Sequence, residues 1–295
     1  MNNQFKAHIS LFVANFLYGI NYVIVKSIMP EYINAPALTF LRNFLSTILF
    51  WIFCMFIESK VIDKKDYPRF FWAALLGVSL NQFLFVQGLD YTTPMNAAII
   101  MTTNPILVLI AASIMLRERI VGIKILGILL GAIGALIAIM SNGPINIGSQ
   151  TAFGDGLMFL NSLSFALYLT VSKPLMGKYH TMQALKWFFL IGSLLLLPLG
   201  IKYVDLNSLL HLPAKVYLAL TYIIVVTTFL TYIMFNFSLK HLNASTVSIY
   251  LYMQPVVAGL TAYFLGMEKI TILKIVATVL VFSGVYIVSK LGNKI

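Results

Sequence analysis

Two basic residues, Lys26 and Arg42, lie within apolar runs of the sequence. A charge in hydrocarbon costs from about 3 kcal/mol upward, so an ionisable residue at such a position is a functional candidate by default. Together they could form a cationic site for a carboxylate, to which arginine offers a bidentate fork. The alternative is structural: both side chains reach the outer headgroups or tie helix ends together.

Uncharged polar residues near the midpoints of apolar runs predict a cavity. Asn15, Tyr18, Gly19 and Tyr22 follow the i, i+3, i+4, i+7 spacing of one helix face, which should point into a helix bundle, because lipid would leave its donors unsatisfied. The alternative is helix–helix hydrogen bonding, worth about 0.6 kcal/mol per bond on average. The predicted lining consists of Asn15, Tyr18, Tyr22, Arg42, Asn81, Gln82, Thr102, Asn104, Asn161, Tyr168, Thr231, Tyr232, Tyr250 and Gln254.

Two prolines, Pro105 and Pro255, each fall in the middle of an apolar run. Proline removes a backbone hydrogen bond, so we expect matching kinks with free carbonyls near residues 101 and 251, suited to gating. The alternative is that membrane helices simply tolerate these prolines.

Small and acidic residues complete the candidates. The spacing of Gly127, Gly131 and Gly134 predicts close helix packing, either within the chain or in a homodimer. Glu118 and Glu268 are expected to be interfacial anchors paired with a nearby base such as Arg119 or Lys269.

The composition indicates a membrane protein. Hydrophobic residues make up 60% of the chain and charged residues 10%, with a mean hydropathy of +0.92, whereas a soluble domain needs roughly a quarter charged residues. The net charge of +11 comes without a basic run or face, which argues against nucleic acid as a partner. The single Cys54 and four scattered histidines indicate neither a disulfide framework nor a metal site. The N-terminal apolar run lacks a cleavage site, so we expect it to be retained.

Ten spans of about 20 residues are expected. The apolar runs lie near 8–28, 36–57, 69–88, 94–116, 121–141, 153–175, 181–201, 214–238, 244–265 and 271–289. With a cytoplasmic N-terminus, 14 of the 20 Lys and Arg residues fall on the cytoplasmic side, 4 fall outside and 2 lie within spans. The positive-inside rule therefore predicts cytoplasmic N- and C-termini.

An internal repeat divides the chain. At a shift of 150 positions Pro105 meets Pro255 and Glu118 meets Glu268, and near the start of each half Asn15 meets Asn161 at a shift of 146. Five spans per half is an odd number, so the second half should be inverted relative to the first. The predicted fold is all-α with two inverted five-helix repeats, residues 1–141 and 153–295, joined by a linker at 142–152. Such repeats typically alternate between states open to each side, with the site midway.

Several segments resemble the EamA-like branch of the drug/metabolite transporter superfamily. FLYGINYVIVK (16–26) and LTFLRNF (38–44) are similar to its first- and second-helix motifs, and residues 79–120 carry the most specific match. Residues 154–175 resemble its sixth helix, and residues 250–270 repeat its fourth-helix motif. The departures are Tyr18 and Phe165, where tryptophan is frequent in the family. The resemblance covers essentially the whole chain and implies a solute carrier, in a family where many members export amino acids or other small metabolites. Lys26 and Arg42 match general family positions, which favours structural or gating roles for both.

The sequence therefore predicts a secondary transporter, not an enzyme, that moves an amino acid or related metabolite by alternating access, most simply as export. We expect a bacterial plasma-membrane location, a small-molecule substrate, lipid contacts and no cofactor. The absence of an Asp or Glu at a span centre argues against a buried-carboxylate proton relay, and the absence of a nucleotide-binding loop argues against ATP drive. The alternatives are a lipid-modifying membrane enzyme, for which no catalytic constellation is visible, and a structural or sensory membrane protein.

Overall fold

A computed structural model describes residues 2–57, 60–92, 97, 100–140, 152–264 and 271–288. Throughout these residues the regular structure is helical. In the first half lie α1 (Asn3–Ile28), α2 (Ala35–Cys54), α3 (Tyr67–Ala74), α4 (Leu80–Tyr91), α5 (Asn104–Met115) and α6 (Gly122–Met140). In the second lie α7 (Ala152–Lys178), α8 (Thr181–Tyr203), α9 (Leu206–Leu210), α10 (Ala214–Thr221), α11 (Thr231–His241), α12 (Ala244–Ile249), α13 (Met253–Phe264) and α14 (Ile272–Tyr286).

Six helical segments of the described chain are long and apolar enough to cross a membrane. They are Asn3–Ile28, Ala35–Cys54, Lys64–Tyr91, Ala152–Lys178, Thr181–Tyr203 and Ala214–His241. Shorter apolar helices, among them α5 and α14, accompany them. The chain is thus a multi-pass membrane protein, and the count of ten spans stays a prediction. The linker at 142–152 lies almost wholly outside the described residues.

Two of the long segments contain a π-helical stretch in their middle. Leu75–Ser79 joins α3 to α4, and Tyr222–Leu230 joins α10 to α11, so the two stretches overlap at a shift of 150. In the second stretch the Thr228 hydroxyl donates to the carbonyl of Ile223, five residues back, at 2.7 Å. π-Helical turns concentrate at functional sites, because the wider ladder presents different side chains and carbonyls to the interior.

The two mid-run prolines lie in the first turns of new helices. Pro105 is the second residue of α5, after a turn at Thr102 and Thr103, and Pro255 follows a 3₁₀ turn at Tyr250–Tyr252. Proline in a first turn removes no intrahelical bond, so the expected mid-helix kinks are corrected to breaks ahead of the prolines. The buried carbonyl of Thr102 accepts a hydrogen bond from the Tyr252 hydroxyl at 3.1 Å.

Equivalent helices of the two halves pack against each other. In α2 and α8 the Thr47 hydroxyl lies 2.8 Å from that of Ser193, Phe40 lies against Gly200, and the Phe50 and Phe189 rings are 4.7 Å apart. Residue numbers rise along α2 as they fall along α8, so the two helices are antiparallel. Thr47 and Ser193 are 146 positions apart, the shift that overlays the first spans of the halves.

The predicted glycine contact lies within the chain, between α6 and α14. A Cβ on Gly284 would come within 2.5 Å of the Gly127 carbonyl oxygen and 2.8 Å of the Gly131 nitrogen, and one on Gly134 within 2.9 Å of the Val281 nitrogen. Only glycine permits this backbone approach. The stripe therefore serves intramolecular packing, one of the two uses its spacing allows.

The first helix of each half packs on the other half. Helix α1 lies against α11 and α13, and α7 lies against α4 and α5. These two sets of contacts are equivalent in the two halves, and each runs from one half to the other. Both halves therefore contribute helices to the interior of the bundle.

One end of the bundle is held by polar contacts between the α2–α3 connection and the α7–α8 junction. The Lys178 ammonium bonds the carboxylates of Asp63 and Asp66, the latter at 2.6 Å, and the Tyr179 hydroxyl donates to Asp66 at 2.7 Å. The Gln183 amide also donates to the carbonyl of Lys60. These contacts link the second and sixth predicted spans on the side that the charge distribution predicts to be cytoplasmic.

Candidate functional site

A cavity lined by side chains from both halves lies inside the helix bundle. Its wall combines polar and aromatic side chains. The lining residues are Tyr18, Asn21, Tyr22, Arg42, Asn81, Gln82, Phe85, Met101, Asn161, Phe165, Tyr232, Phe235, Leu251 and Gln254.

The lining follows the internal repeat. Three pairs of lining residues are 150 positions apart: Gln82 with Tyr232, Phe85 with Phe235, and Met101 with Leu251. Each pair places one residue from either half on the wall. The cavity therefore lies on the axis that relates equivalent positions of the two halves.

Arg42 is the charged residue of the described lining, and it is 3% exposed. Its Nε and Nη2 atoms both donate to the Thr228 hydroxyl oxygen, at 3.1 and 3.0 Å. The Thr228 hydroxyl donates its own proton to the carbonyl of Ile223 within the π-helical stretch, so its oxygen can accept both bonds from Arg42. Burial against the cavity rules out the expectation that Arg42 reaches the headgroups. At the equivalent position of the second half, 146 residues on, stands the apolar Phe188.

Lys26 does not line the cavity. Its ammonium donates to the carbonyl of Leu89 at 3.4 Å, which joins the end of α1 to α4. The structure therefore supports the tie between helix ends for Lys26 and does not bring it to the cavity wall with Arg42.

The orientations of two cavity amides follow from their neighbours. The Tyr232 hydroxyl donates to the Gly77 carbonyl at 2.7 Å, so it accepts from the Gln82 amide nitrogen at 2.9 Å. Asn81 and Asn161 each donate an amide N–H to the other's backbone carbonyl, at 3.2 and 2.6 Å. The side-chain oxygens of Gln82 and Asn161 are left buried without a hydrogen-bond partner.

Aromatic rings complete the wall beside these polar groups. Tyr18 packs edge-on against Phe235 with ring centroids 5.7 Å apart, and Tyr22 against Phe85 at 5.4 Å. Phe165 contacts Phe235 edge-on at 6.1 Å. The cavity thus has an apolar side in addition to its amide and guanidinium groups.

Of the fourteen residues predicted for the lining, eight lie on the cavity wall: Tyr18, Tyr22, Arg42, Asn81, Gln82, Asn161, Tyr232 and Gln254. Whether any of them binds a substrate stays a prediction.

Two of the predicted residues lie behind the wall and support it. The side-chain oxygen of Asn15 accepts from the Gln254 amide at 2.9 Å, and its own amide donates to the Leu11 carbonyl. Asn104 donates to the Ser162 carbonyl at 3.4 Å. These residues position their neighbours and do not face the cavity.

The remaining four make helix–helix or local bonds. The Tyr168 hydroxyl donates to Asn236 at 2.8 Å, and that of Tyr250 lies 2.7 Å from the His8 ring nitrogen. Thr231 donates to a carbonyl of its own helical segment, and the Thr102 carbonyl accepts from Tyr252. All four lie away from the cavity wall.

Six lining residues were not predicted: Asn21, Phe85, Met101, Phe165, Phe235 and Leu251. Five are apolar residues in apolar runs, and of these Met101 and Leu251 carry no signal that separates them from lipid-facing residues. The identity of Phe85 with Phe235 at the repeat shift could have indicated both. Phe165 stands at a position where tryptophan is frequent in the family. Asn21 lies beside the predicted polar face of α1 and accepts from Thr227 at 2.9 Å.

Glu118 does not use its sequence neighbour Arg119 as its main partner. Its carboxylate accepts the backbone N–H of Ala244 at 2.8 Å and the Ser245 hydroxyl at 2.7 Å, at the start of α12, with the Lys124 ammonium at 4.0 Å. The anchor is therefore a tertiary contact to the opposite half, which corrects the expected local pair. Glu268 and Lys269 lie outside the described residues.

Across the described residues, His, Cys, Asp and Glu form no group that could hold a metal ion.

A multi-pass helical membrane protein with a polar-aromatic cavity between two repeats has the design of a membrane transporter. The chain belongs to the EamA-like transporter family, whose model matches residues 5–140 and 152–290. The two matched segments correspond to the two halves of the repeat.

Similar proteins carry transporter names. An "Uncharacterized transporter" of Archaeoglobus fulgidus is 28% identical over 88% of this chain and 90% of its own. The "Uncharacterized transporter YyaM" of Bacillus subtilis is 27% identical over 75% and 73%, and the "Uncharacterized inner membrane transporter YicL" of Salmonella typhimurium 22% over 98% and 97%. A solved crystal structure with a TM-score of 0.76, 15% identical and covering 98% of both chains, shares the fold.

Proposed function

We propose that this protein is a secondary transporter that moves a small organic metabolite, an amino acid or related compound, by alternating access between two inverted five-span halves. The observation that carries the proposal is the position of the cavity on the pseudo-symmetry axis, with equivalent residues of both halves on its wall. A site on that axis has nearly equal routes to both membrane faces, as alternating access requires.

The chemistry of the wall supports a small organic solute. Amide, guanidinium and aromatic side chains all line the cavity and can contact such a molecule. The proposal takes a single chain as the transporting unit, since the glycine stripe is used within the chain.

The proposal places the chain in a bacterial plasma membrane with both termini in the cytoplasm and with export as the physiological direction. The support for orientation is the concentration of Lys and Arg residues in alternate connections. The support for location is the inner-membrane name of the Salmonella relative. Reporter fusions after each of the ten predicted spans test the orientation, and reporter activity is expected to alternate from one fusion to the next.

Counterflow in proteoliposomes tests the function. Liposomes loaded with a pool of unlabelled metabolites should accumulate the matching labelled metabolite when they contain the protein. The variant Asn161→Trp fills the cavity and should abolish this uptake. Gly156→Trp on the same helix is the matched control, because a Cβ there meets nothing within 4 Å, and it should retain uptake. Failure of every metabolite to move, together with a chemical change in the lipid, would instead favour a membrane enzyme.

A further inference from the structure

Two tryptophans and a lysine form a cluster on the outside of the bundle, away from the cavity. Trp51 of α2 and Trp187 of α8 pack edge-on with ring centroids 5.7 Å apart. The Lys186 ammonium lies 4.7 Å from the ring centroid of Trp51 and 5.6 Å from that of Trp187. Trp51 is 39% exposed, and the other two side chains are half-buried. These contacts fix the position of the ammonium but supply no oxygen acceptor to its three N–H groups.

The cluster lies close to the end of the bundle that the charge distribution predicts to be cytoplasmic. Trp51 is three residues before the end of α2, and Lys186 is five residues after the start of α8. At 1.5 Å per residue, both lie within about 8 Å of a helix end. Met55 and Phe56, which follow α2, are largely exposed, as expected of side chains that contact lipid near the membrane surface. This is the depth at which membrane proteins are enriched in tryptophan.

The charge of Lys186 has no anionic partner among the residues that the structure describes. No carboxylate there lies within ion-pair distance of its ammonium. The acids at this end of the bundle, Asp63 and Asp66, are bound by Lys178. A cation near the edge of the hydrocarbon is stabilised by an anion at the same depth, and the anions available there are lipid phosphates.

A second lysine lies at the same edge of the bundle. The backbone N–H of Lys60 donates to the side-chain oxygen of Gln183 at 3.2 Å. Gln183 is one helical turn from Lys186, so this bond brings the exposed Lys60 to the same side of α8. Two cations from different connections are therefore available to one headgroup.

An apolar surface continues from the cluster toward the middle of the membrane. On α2, Phe44 and Ile48 share a helix face with Trp51 at the i, i+4, i+7 spacing, and both are exposed. On α8, Leu194 is exposed next to Ser193, which contacts α2. An acyl chain whose headgroup lies at Lys186 would contact this surface.

The internal repeat shows that the helix pair does not need the cluster for packing. At the shift of 146 that relates α2 to α8, Lys186 and Trp187 correspond to Phe40 and Leu41. The equivalent place at the opposite end of the pair thus has neither the cation nor the tryptophan. The cluster is a feature of one membrane face.

We propose that this cluster binds one anionic phospholipid of the cytoplasmic leaflet. The lipid phosphate accepts hydrogen bonds from the Lys186 ammonium and is attracted by Lys60. Its glycerol region lies against the two tryptophans, and an acyl chain lies along the exposed face of α2. Basic pockets between membrane helices on the cytoplasmic side are suited to such headgroups. The site is separate from the cavity and does not depend on which solute is transported.

Quenching of tryptophan fluorescence by brominated lipids tests the proposal on the full chain in vesicles. The chain has three tryptophans, so a Trp72→Phe background leaves Trp51 and Trp187 as reporters. Phosphatidylglycerol and phosphatidylcholine with the same brominated acyl chains are compared in mixtures with unbrominated lipid. A lysine near the membrane surface strengthens the binding of an anionic lipid about fivefold, so phosphatidylglycerol should be preferred at least about fivefold.

Variants in the same background assign the headgroup. Lys186→Gln should lower the preference for phosphatidylglycerol about fivefold, and Lys60→Gln should lower it by a smaller factor. Lys215→Gln is the matched control, because its ammonium also lies over a ring, 5.0 Å from the centroid of Tyr32, but at the opposite end of the bundle. That variant should keep the full preference. Thermal unfolding checks that each variant is folded.

Equal quenching by the two lipids in the background protein would overturn the proposal. An unchanged preference in folded Lys186→Gln would overturn the assignment of the phosphate to this cluster. An equal fall in Lys215→Gln would trace the preference to net charge and would also overturn the site. Loss of the preference in phosphate buffer, but not in chloride of the same ionic strength, would make the occupant a free anion instead of a lipid.

Discussion

The side-chain amide of Gln82 donates to the hydroxyl of Tyr232 at 2.9 Å, although the two residues are 150 positions apart in the chain. That separation is the shift that overlays the later spans of the two halves. Residues at equivalent positions can touch only where the pseudo-symmetry axis passes between them. This hydrogen bond therefore marks the axis inside the cavity.

Removing the hydroxyl at the axis should destabilise the protein. Tyr232→Phe leaves the Gly77 carbonyl and the Gln82 amide without their partner, and we expect a loss of about 1–3 kcal/mol of stability. A double-mutant cycle with Gln82→Leu, followed by thermal unfolding, measures the coupling, which should be at least about 0.5 kcal/mol. Tyr217→Phe is the control, because its exposed hydroxyl bonds only a local carbonyl. Additive effects at 82 and 232 would contradict the prediction.

Removing the acceptor that holds Arg42 should weaken the site. Thr228→Val is close in shape but cannot accept the two guanidinium bonds, so we expect a loss of about 1–3 kcal/mol in unfolding experiments and slower counterflow. Thr221→Val on the same segment is the control, since that hydroxyl is exposed and bonds its own helix. Equal effects of the two substitutions would show that the contact with Arg42 has no energetic role.

The glycine contact between α6 and α14 should tolerate no added atom. A Cβ at Gly284 would meet backbone atoms at 2.5 and 2.8 Å, so Gly284→Ala should separate the helices and destabilise by about 1–3 kcal/mol. Gly156→Ala is the control, because the helical site is open and alanine there should be neutral or stabilising by up to about 1 kcal/mol. Melting temperatures in detergent compare the two, and equal shifts would refute the close packing.

The polar contacts at one end of the bundle should open during transport. In a Cys54→Ala background, Asp63→Cys with Lys178→Cys places two thiols where the ion pair lies, and a short thiol-specific cross-linker should stop counterflow. With a bis-methanethiosulfonate reagent, which attaches to the two thiols through disulfides, reductant should cleave the cross-link and restore counterflow. Asp205→Cys with Ser208→Cys, cross-linked within one connection, is the control and should transport normally. Full activity of the cross-linked 63–178 variant would mean that this end does not move.

The helical runs were predictable because the length of each apolar run and the positions of the charges that bound it can be read directly from the order of residue types. The π-helical stretches were not, because residues 75–79 and 222–230 are as apolar as their flanks and the register of a backbone ladder leaves no mark in such a run. Pro105 and Pro255 indicated correctly where the helices are interrupted. They did not indicate whether the interruption is a kink or a break, since proline suits both a kinked helix and the first turn of a new one.

The polar part of the cavity wall was more predictable than its apolar part. An amide such as Asn81 in an apolar run must face the interior, so position follows from type. Asn104 and Tyr168 obey the same rule but satisfy their groups against neighbouring helices, and the sequence does not distinguish these two interior environments. Met101 lines the cavity, although its place in an apolar run would be equally typical of a methionine that faces lipid.

The exchange of first helices between the halves constrains biosynthesis. Helix α1 is synthesised before its packing partners α11 and α13, with the rest of the first half and the start of the second between them. Until the second half is inserted, Asn15 and Asn21 of α1 lack their partners Gln254 and Thr227 and would face lipid or a chaperone. A chain truncated after α6 would therefore lack the helices that bury α1. We expect such a fragment to be recognised as incomplete and degraded.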